Sequence, residues 1–294
     1  MNPTLTTADG LTLGIREWPI ADARGSVLIV HGLGEHIGRY DHVAAQLNAW
    51  HWSVVGYDQR GHGESEGARG ALARRDDLLR DLALVFDAAR AQQPGPLVLL
   101  GHSLGGLVAA RFVAERVRSV DALVLSSPAL DLGMSTGQQL LLTLLGPLAP
   151  NLRVHNGLKP GWISRDPAVV RAYADDPRVH KRVTPKLVRF MLESCGRVRA
   201  KAPAWVVPTL LMYAGSDRCV VPAGSAAFAA AAPNAVVTTR EFGPLFHEIF
   251  NEPEQREVFE VLGDWLNPDI ALAIDPSPEM GYFQASESGL EDKR

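Results

Sequence analysis

The sequence predicts an α/β fold with a mostly parallel central sheet, helices on both of its faces and an inserted helical cap. Short apolar runs alternate with longer segments of helical periodicity along most of the 294 residues, a pattern typical of parallel sheets. The second observation is a glycine-rich hexapeptide, "GHSLGG", directly after one apolar run. The third is the loss of this alternation between Pro128 and Pro208, a stretch too long for a plain loop.

Six short runs rich in apolar residues are predicted to be strands. The continuous run at residues 26–31 has the composition of a strand buried on both faces of a parallel sheet. Ahead of it, residues 5–18 predict two short strands around Asp9-Gly10, a dipeptide that favours a hairpin turn. The remaining strands are predicted at residues 52–58, 96–102, 121–128, 208–215 and 235–242.

Helices are predicted between these strands. The strongest helical pattern covers residues 76–92, where apolar side chains line one face and charged side chains the other. The pattern at residues 252–266 has Pro253 near its start, a position that suits proline. Further helices are predicted at residues 39–50, 103–116 and 223–232.

The predicted organisation is one core domain with an insertion. Residues 1–128 and 204–266 form the core, and residues 129–203 form the inserted helical cap. Residues 267–294 have no periodicity and are rich in Pro, Ser, Glu and Asp, which predicts a disordered tail.

The composition argues against several classes of protein. A net charge of −4 and a pI near 6.1 give no general case for nucleic-acid binding. The two cysteines, Cys195 and Cys219, cannot build a disulfide framework and lack zinc-site spacing. The start of the chain has no signal-peptide pattern, and no apolar run reaches the length of a membrane span. The expectation is a soluble cytoplasmic protein.

One pattern in the sequence points directly to chemistry. Gly101-x-Ser103-x-Gly105 follows a predicted strand and opens a predicted helix, which is the context of a nucleophile elbow. A sharp turn there exposes the Ser103 hydroxyl at the end of the sheet, and glycines let strand and helix approach closely. A glycine-rich turn with a capping serine is the alternative interpretation.

A nucleophilic serine needs a base and an acid that orients the base. Asp217 follows the predicted strand at 208–215, and His247 lies in the loop after the last predicted strand. This is the order acid, then histidine, that the elbow motif requires. Asp131 is the main rival for the acid. Other candidates for acid or base, set aside for position or chain order, are Asp58, His31, His36, His62 and His102.

The tetrahedral intermediate of such a reaction needs donors for its oxyanion. The backbone N–H of Leu104, directly after Ser103, is one predicted donor. The second is the N–H of Leu33, because the surrounding Gly32 and Gly34 allow the loop to bend.

Seven ordered sequence blocks resemble the monoacylglycerol lipase and lysophospholipase branch of the α/β-hydrolases. The resemblance extends over residues 25–266 and implies the α/β-hydrolase fold, a Ser103–Asp217–His247 triad, oxyanion donation by Leu33 and Leu104, and a small lipid ester as substrate. Leu104 differs from the methionine that relatives often have there, but only its backbone would donate. The blocks are "HGLGEHIGRY", "DQRGHGES", "GHSLGG", "SSPAL", "SRDPAVVRAYADDPRVH", "GSDRCVVP" and "HEIFNEPEQREV".

The predicted cap combines an apolar helix with a basic segment. Residues 151–201 contain twelve bases and four acids, a balance of +8 that leaves −12 for the rest of the chain. The apolar helix predicts either packing onto the core or an acyl-chain wall and membrane-facing lip, with Leu141 and Leu145 as substrate contacts. The basic residues predict attraction to an anionic membrane, a solvated face, or pairing with the acidic core. The leucines of the helix are Leu140, Leu141, Leu144, Leu145 and Leu148.

The expected function is hydrolysis of the acyl ester of monoacylglycerols through an acyl-enzyme, with no metal or organic cofactor. The same fold supports lysophospholipases, general carboxylesterases, peptidases and cofactor-free haloperoxidases, so the fold does not choose among them. A ligand-binding protein that has lost catalysis is the alternative outside enzymes.

Overall fold

An eight-stranded sheet forms the centre of the computed structural model, which describes residues 3–92 and 95–266. Its strand order is β1-β2-β4-β3-β5-β6-β9-β10. The strands are β1 (Thr4–Thr6), β2 (Thr12–Trp18), β3 (Gly25–Val30), β4 (Trp52–Tyr57), β5 (Leu97–His102), β6 (Ala122–Ser126), β9 (Thr209–Ala214) and β10 (Val237–Phe242). The short strands β7 (Val154–His155) and β8 (Arg182–Val183) form a separate two-stranded antiparallel sheet.

Within this sheet the strands from β4 to β10 pair in parallel, whereas β2 is antiparallel to both of its neighbours, β1 and β4. The predicted mostly parallel sheet and the hairpin at Asp9-Gly10 are therefore confirmed. Parallel pairing brings the carboxyl ends of β3, β5, β9 and β10 to one edge, where the loops after them meet. This edge carries the residues that the sequence singled out.

Helices cover both faces of the sheet. They are α1 (Asp41–Ala49), α2 (Asp77–Gln92), α3 (Leu104–Ala114), α4 (Thr136–Leu145), α5 (Pro167–Asp175), α6 (Pro185–Lys201), α7 (Pro222–Ala231) and α8 (Gln255–Trp265). The residues of β3 alternate between two apolar clusters: Leu28 and Val30 pack with α2 and α3, and Val27 and Ile29 pack with α1 and α8. This two-sided burial explains why the strand is a continuous apolar run rather than an alternating one.

The insertion between β6 and β9 contains the helices α4, α5 and α6. It also contains the two-stranded β7–β8 sheet, which the sequence pattern did not predict. Side chains of α6, among them Phe190 and Met191, belong to the same apolar cluster as α3. In contrast, α4 has no buried residue. The division at residues 129 and 203 stays a prediction, and the predicted tail at 267–294 lies outside the described residues.

Several polar contacts join the cap (residues 129–203) to loops of the core, and three of them reach the loops that follow β3 and β4. The His180 N–H donates to the Gly34 carbonyl at 2.8 Å, and the Thr184 N–H donates to the Gly70 carbonyl at 3.0 Å. The third is a 2.8 Å contact between His36 Nε2 and Asp176 Oδ2. Two of the three end on the β3 loop (residues 31–36), so the cap is attached where the sheet edge carries its polar side chains.

Candidate active site

Ser103 lies at the turn from β5 into α3. Its φ of 53° and ψ of −117° are unfavourable for a residue with a β-carbon. The turn is held by close packing, because a β-carbon on Gly105 would overlap the Val30 carbonyl. The geometry is that of a strained strand-to-helix elbow, and it leaves the Ser103 side chain half-buried at the sheet edge.

Ser103, His247 and Asp217 form a continuous chain of hydrogen-bonding contacts. His247 Nε2 lies 2.8 Å from Ser103 Oγ, and His247 Nδ1 lies 2.7 Å from Asp217 Oδ2. The Asp217 carboxylate also accepts the backbone N–H groups of Cys219 and Val220. The structure thus brings together three side chains of which the first and last, Ser103 and His247, are 144 residues apart in the sequence.

The charges in this chain favour an imidazolium at His247. Burial by itself would lower the pKa of His247, but the Asp217 carboxylate at hydrogen-bonding distance raises that pKa above its ordinary value. Burial would likewise raise the pKa of Asp217, and the facing imidazole together with two N–H donors lowers it instead. A carboxylate that stays charged beside His247 can stabilise the proton that His247 would take from Ser103.

The β3 loop passes directly over Ser103. A β-carbon on Gly32 would come within 3.2 Å of the Ser103 β-carbon and within 2.8 Å of a Glu35 carboxylate oxygen. Leu33 lines the same cavity as Ser103, and Leu104 is the first residue of α3. Both predicted donors therefore belong to segments that border the Ser103 hydroxyl.

A cavity of about 160 Å³ adjoins Ser103. Its walls are mostly apolar and come from both the core and the cap, with Met134 and Met191 among the cap residues. A second cavity of about 520 Å³ shares Asn156 and Cys219 with the first and is bordered by Asp217 and Arg218. Leu141 and Leu145 are 58 % and 52 % exposed, so this structure does not place them against Ser103, and their substrate contact stays a prediction.

The alternative acids have other partners. Asp131 accepts the Gly133 N–H in its own turn. Asp58 accepts the N–H groups of Ile37 and Glu64. Neither carboxylate takes the position that Asp217 has beside His247.

The alternative histidines are also held elsewhere. His31 accepts the Gln59 N–H, His62 contacts the Arg60 carbonyl, and His36 contacts Asp176 of the cap. His102 is the nearest of them, with its ring 4.8 Å from that of His247, and it contacts Ser126 Oγ. Burial lowers the pKa of His102 to about 4, so it packs beside His247 as a neutral ring at neutral pH.

Sequence reasoning missed a buried charged cluster beside the site. Arg39 makes two 2.6 Å hydrogen bonds to the Glu248 carboxylate and a third, of 2.7 Å, to Glu35. The i, i+4 spacing of Glu35 and Arg39 was a visible signal, and Glu248 directly follows His247.

Within the described part of the chain, one group of side chains could hold a metal ion. It consists of Asp217, Cys219 and His247, whose donor atoms lie within 4.8 Å of one another. Two of these donors already contact each other in the Asp217–His247 pair. Burial also raises the pKa of the Cys219 thiol well above its ordinary value, which disfavours the thiolate that a metal would need. The donor set fits proton transfer better than metal ligation.

Comparison with known families identifies the family of this chain. Residues 21–254 match the family described as serine aminopeptidase, S33. The chain belongs to this family. Its fold is the α/β-hydrolase fold, and as a member of the S33 family with monoglyceride lipases among its relatives it is a serine ester hydrolase.

Three S33-like relatives are informative. The monoacylglycerol lipase of Mycolicibacterium smegmatis is 35 % identical, over 84 % of this chain and 90 % of that protein. The phospholipase YtpA of Bacillus subtilis is 32 % identical, over 80 % and 92 % of the two chains. A crystal structure of the Paleococcus ferrophilus monoacylglycerol lipase has a TM-score of 0.77 at 31 % identity, over 90 % of this chain and 99 % of that one.

The S33 chain also matches part of a longer protein. An uncharacterized abhydrolase domain-containing protein of Dictyostelium discoideum is 32 % identical over 93 % of this chain, which spans 30 % of that protein's length. Within residues 3–92 and 95–266, no helix has both the length and the apolar composition needed to cross a membrane.

Proposed function

We propose that the protein hydrolyses the acyl ester of monoacylglycerols, with Ser103 as nucleophile, His247 as general base and Asp217 as the acid that orients it. The observation that carries this proposal is the chain of contacts from Ser103 Oγ through His247 to Asp217, at 2.8 and 2.7 Å. Distances of this size are those over which a base can take a proton from a nucleophile.

The reaction proceeds in two halves. His247 takes the Ser103 proton as Oγ attacks the ester carbonyl, and the N–H groups of Leu33 and Leu104 stabilise the oxyanion. His247 then returns the proton to the leaving glycerol, and water releases the fatty acid by the same route. Asp217 keeps its charge throughout and stabilises the imidazolium.

The two cavities suit the two halves of such a substrate. The apolar walls of the cavity beside Ser103 favour an acyl chain. The larger cavity borders Asp217 and Arg218 and offers polar groups to the alcohol half. Monoacylglycerol lipases among the relatives and the solved structures support this choice of substrate class.

The deciding experiment compares the wild-type protein with Ser103→Ala. Loss of the nucleophile should lower kcat by about 10⁶-fold, as triad deletions do, and should abolish labelling by a fluorophosphonate probe. Ser216→Ala is the matched control, because Ser216 lies beside Asp217 but its hydroxyl bonds to the Gly243 carbonyl instead. A Ser103→Ala protein that keeps near wild-type esterase activity would overturn the proposal.

A second candidate function is lysophospholipid hydrolysis, favoured by the similarity to the phospholipase YtpA of Bacillus subtilis. A panel of substrates separates the two candidate functions. It consists of monoacylglycerols of several chain lengths, lysophosphatidylcholine and diacylglycerol. Faster turnover of lysophosphatidylcholine would assign the protein to the second function.

We also propose that α4 and the chain after it form a membrane-contacting surface of the cap. Five leucines of this segment are 52 % to 80 % exposed, and apolar patches of this kind are rare on proteins that remain in water. They are Leu140, Leu141, Leu144, Leu145 and Leu148.

The charge of the cap is a second argument for membrane contact. Among the described residues, only Arg165, Arg178 and Arg197 of the twelve bases in 151–201 form ion pairs with carboxylates. Pairing with the acidic core therefore accounts for a minority of the positive charge. The unpaired bases can attract anionic headgroups, at about 1 kcal/mol for each base near the surface.

A further inference from the structure

Arg39 lies between two buried carboxylates that belong to different loops. Its guanidinium binds both oxygens of Glu248 at 2.6 Å and one oxygen of Glu35 at 2.7 Å. The three side chains are 13 %, 6 % and 4 % exposed. Because the guanidinium is planar and its N–H groups point in fixed directions, hydrogen bonds to two carboxylates hold all three side chains in one relative orientation.

Each carboxylate connects Arg39 to one part of the proposed catalytic machinery. Glu35 accepts the Gly32 N–H at 2.5 Å, and Gly32 immediately precedes the proposed donor Leu33. Glu248 immediately follows His247, and its own N–H donates to the Ile163 carbonyl of the cap. Arg39 therefore joins the β3 loop to the segment that carries the base.

The cap completes this arrangement. The Arg39 guanidinium lies 4.9 Å from the centre of the Tyr173 ring on α5. Tyr173 is buried and covers the charged cluster from the cap side. An arginine so stacked is held in one conformation and is shielded from water, which strengthens its bonds to Glu35 and Glu248.

The cluster of Glu35, Arg39 and Glu248 also has a net negative charge, and it lies near His247. Burial would raise the pKa of Glu35, but Arg39 lowers it to about 2, so Glu35 is charged at neutral pH. Two carboxylates and one guanidinium then leave one uncompensated negative charge. The titratable groups that face His247 are Asp217 and Cys219 from the loop after β9, Glu248 beside it, Glu35 from the β3 loop, and the neutral ring of His102 from β5. Arg39 binds Glu35 and Glu248 from the far side of this group.

We propose that Arg39 is a positioning residue that holds the Leu33 donor and the His247 base in register, and that Glu248 and Glu35 stabilise the His247 imidazolium as it forms. This rests on the proposed function of Ser103, His247 and Asp217. The geometry carries it: one guanidinium bridges the two segments whose relative position sets both oxyanion binding and proton transfer. A small displacement of either segment would misalign the reacting atoms.

The test is the pH dependence of kcat/KM for p-nitrophenyl butyrate in Glu248→Gln. Removing this charge should lower the pKa of His247, so the acidic limb of the profile should move to lower pH. At the plateau kcat should fall about tenfold, equal to about 1.4 kcal/mol, while KM changes little. Arg39→Lys should lower kcat as well, because an ammonium cannot make the paired bonds.

The matched control is Asp81→Asn. Asp81 lies on α2, away from the proposed triad. Like Glu248, it is buried and binds an arginine through both carboxylate oxygens, here Arg60 at 2.6 and 2.7 Å. Asp81→Asn should lower the melting temperature and leave the pH profile of the enzyme in place. If Glu248→Gln does not fold, Glu35→Gln provides the same measurement.

Two failures are distinguishable. If the wild-type protein neither hydrolyses the ester nor reacts with a fluorophosphonate, the proposed function itself is wrong. If the wild-type protein does both, the result for Glu248→Gln decides the inference. A variant with a lower melting temperature but with the pH profile and kcat of the wild type shows that the cluster is only structural, which overturns the inference.

Discussion

Gly105 at the start of α3 lies against the main-chain carbonyl of Val30 in β3, with no room between them for a β-carbon. The contact sets how deeply α3 enters the sheet edge and therefore where Ser103 stands. Gly105→Ala should destabilise the protein by about 1–3 kcal/mol through overpacking and should lower esterase activity further, because the elbow has to shift. Thermal denaturation and kcat of the purified variant measure both effects.

The matched control for that substitution is Gly196→Ala. Gly196 lies inside α6 with open space around it. An alanine there should stabilise the helix by about 0.5–1 kcal/mol and leave activity unchanged. Equal stability changes for the two variants would contradict the packing argument.

Asp217→Asn should preserve the fold and lower kcat by about 10⁴-fold. The amide keeps the shape of the side chain, but it removes the negative charge beside His247 and can present the wrong hydrogen-bonding group to Nδ1. Steady-state kinetics at pH 8 measure the change. Asp131→Asn is the control, since Asp131 bonds within its own turn; a larger loss in that variant would exchange the roles of the two acids.

The stability of the protein should fall as the pH decreases below about 6.5. Burial and the nearby Arg69 lower the pKa of His180 to about 4, and burial lowers the pKa of His62 well below its ordinary value. Between pH 6.5 and 4 the unfolded chain therefore binds protons that the folded chain does not, at up to about 1.4 kcal/mol per pH unit for each such histidine.

His180→Asn tests that pH dependence. The variant should be less stable than the wild type at pH 7, where packing and the hydrogen bond from the Arg182 N–H to the ring differ, and should lose less stability between pH 7 and pH 5. Urea denaturation at both pH values gives the comparison. Parallel curves for the two proteins would mean that His180 does not titrate as its environment indicates.

Leu144→Ser combined with Leu148→Ser should lower binding to vesicles containing anionic lipid by more than about tenfold, given about 1.5–3 kcal/mol for each buried leucine. Vesicle co-sedimentation at low and high salt measures the binding, which should weaken with salt if the basic residues contribute. Val206→Ser is the control, because Val206 is 66 % exposed outside the cap. Unchanged binding in the double variant would remove the proposed membrane surface.

Local sequence signals predicted most of the core. Continuous apolar runs end within a few residues of the observed strands, because a strand buried on both faces admits almost no polar side chain. The positions of Ser103, Asp217 and His247 at the ends of β5, β9 and β10 follow from chain order alone, since parallel strands end at one edge. Their catalytic roles stay predictions that the kinetics above will decide.

The cap was predicted less well, for a physical reason. The two-stranded β7–β8 sheet contains only two residues in each strand, too few to produce a recognisable alternation of apolar and polar residues. Arg39 and Glu248 are separated by more than 200 residues, and nothing in a local pattern reveals that a charge on one loop will be neutralised by a charge on another. Such pairs depend on the complete tertiary arrangement.

The hydrogen bond from His180 to Gly34 and the contact between Asp176 and His36 have a consequence for protein engineering. A chimera that receives the cap of a relative would also exchange two anchors of the β3 loop. A cap exchanged to change substrate binding would therefore also change the position of the β3 loop, and with it the rate of turnover. Residues 31–36 have to be grafted together with the cap to avoid this.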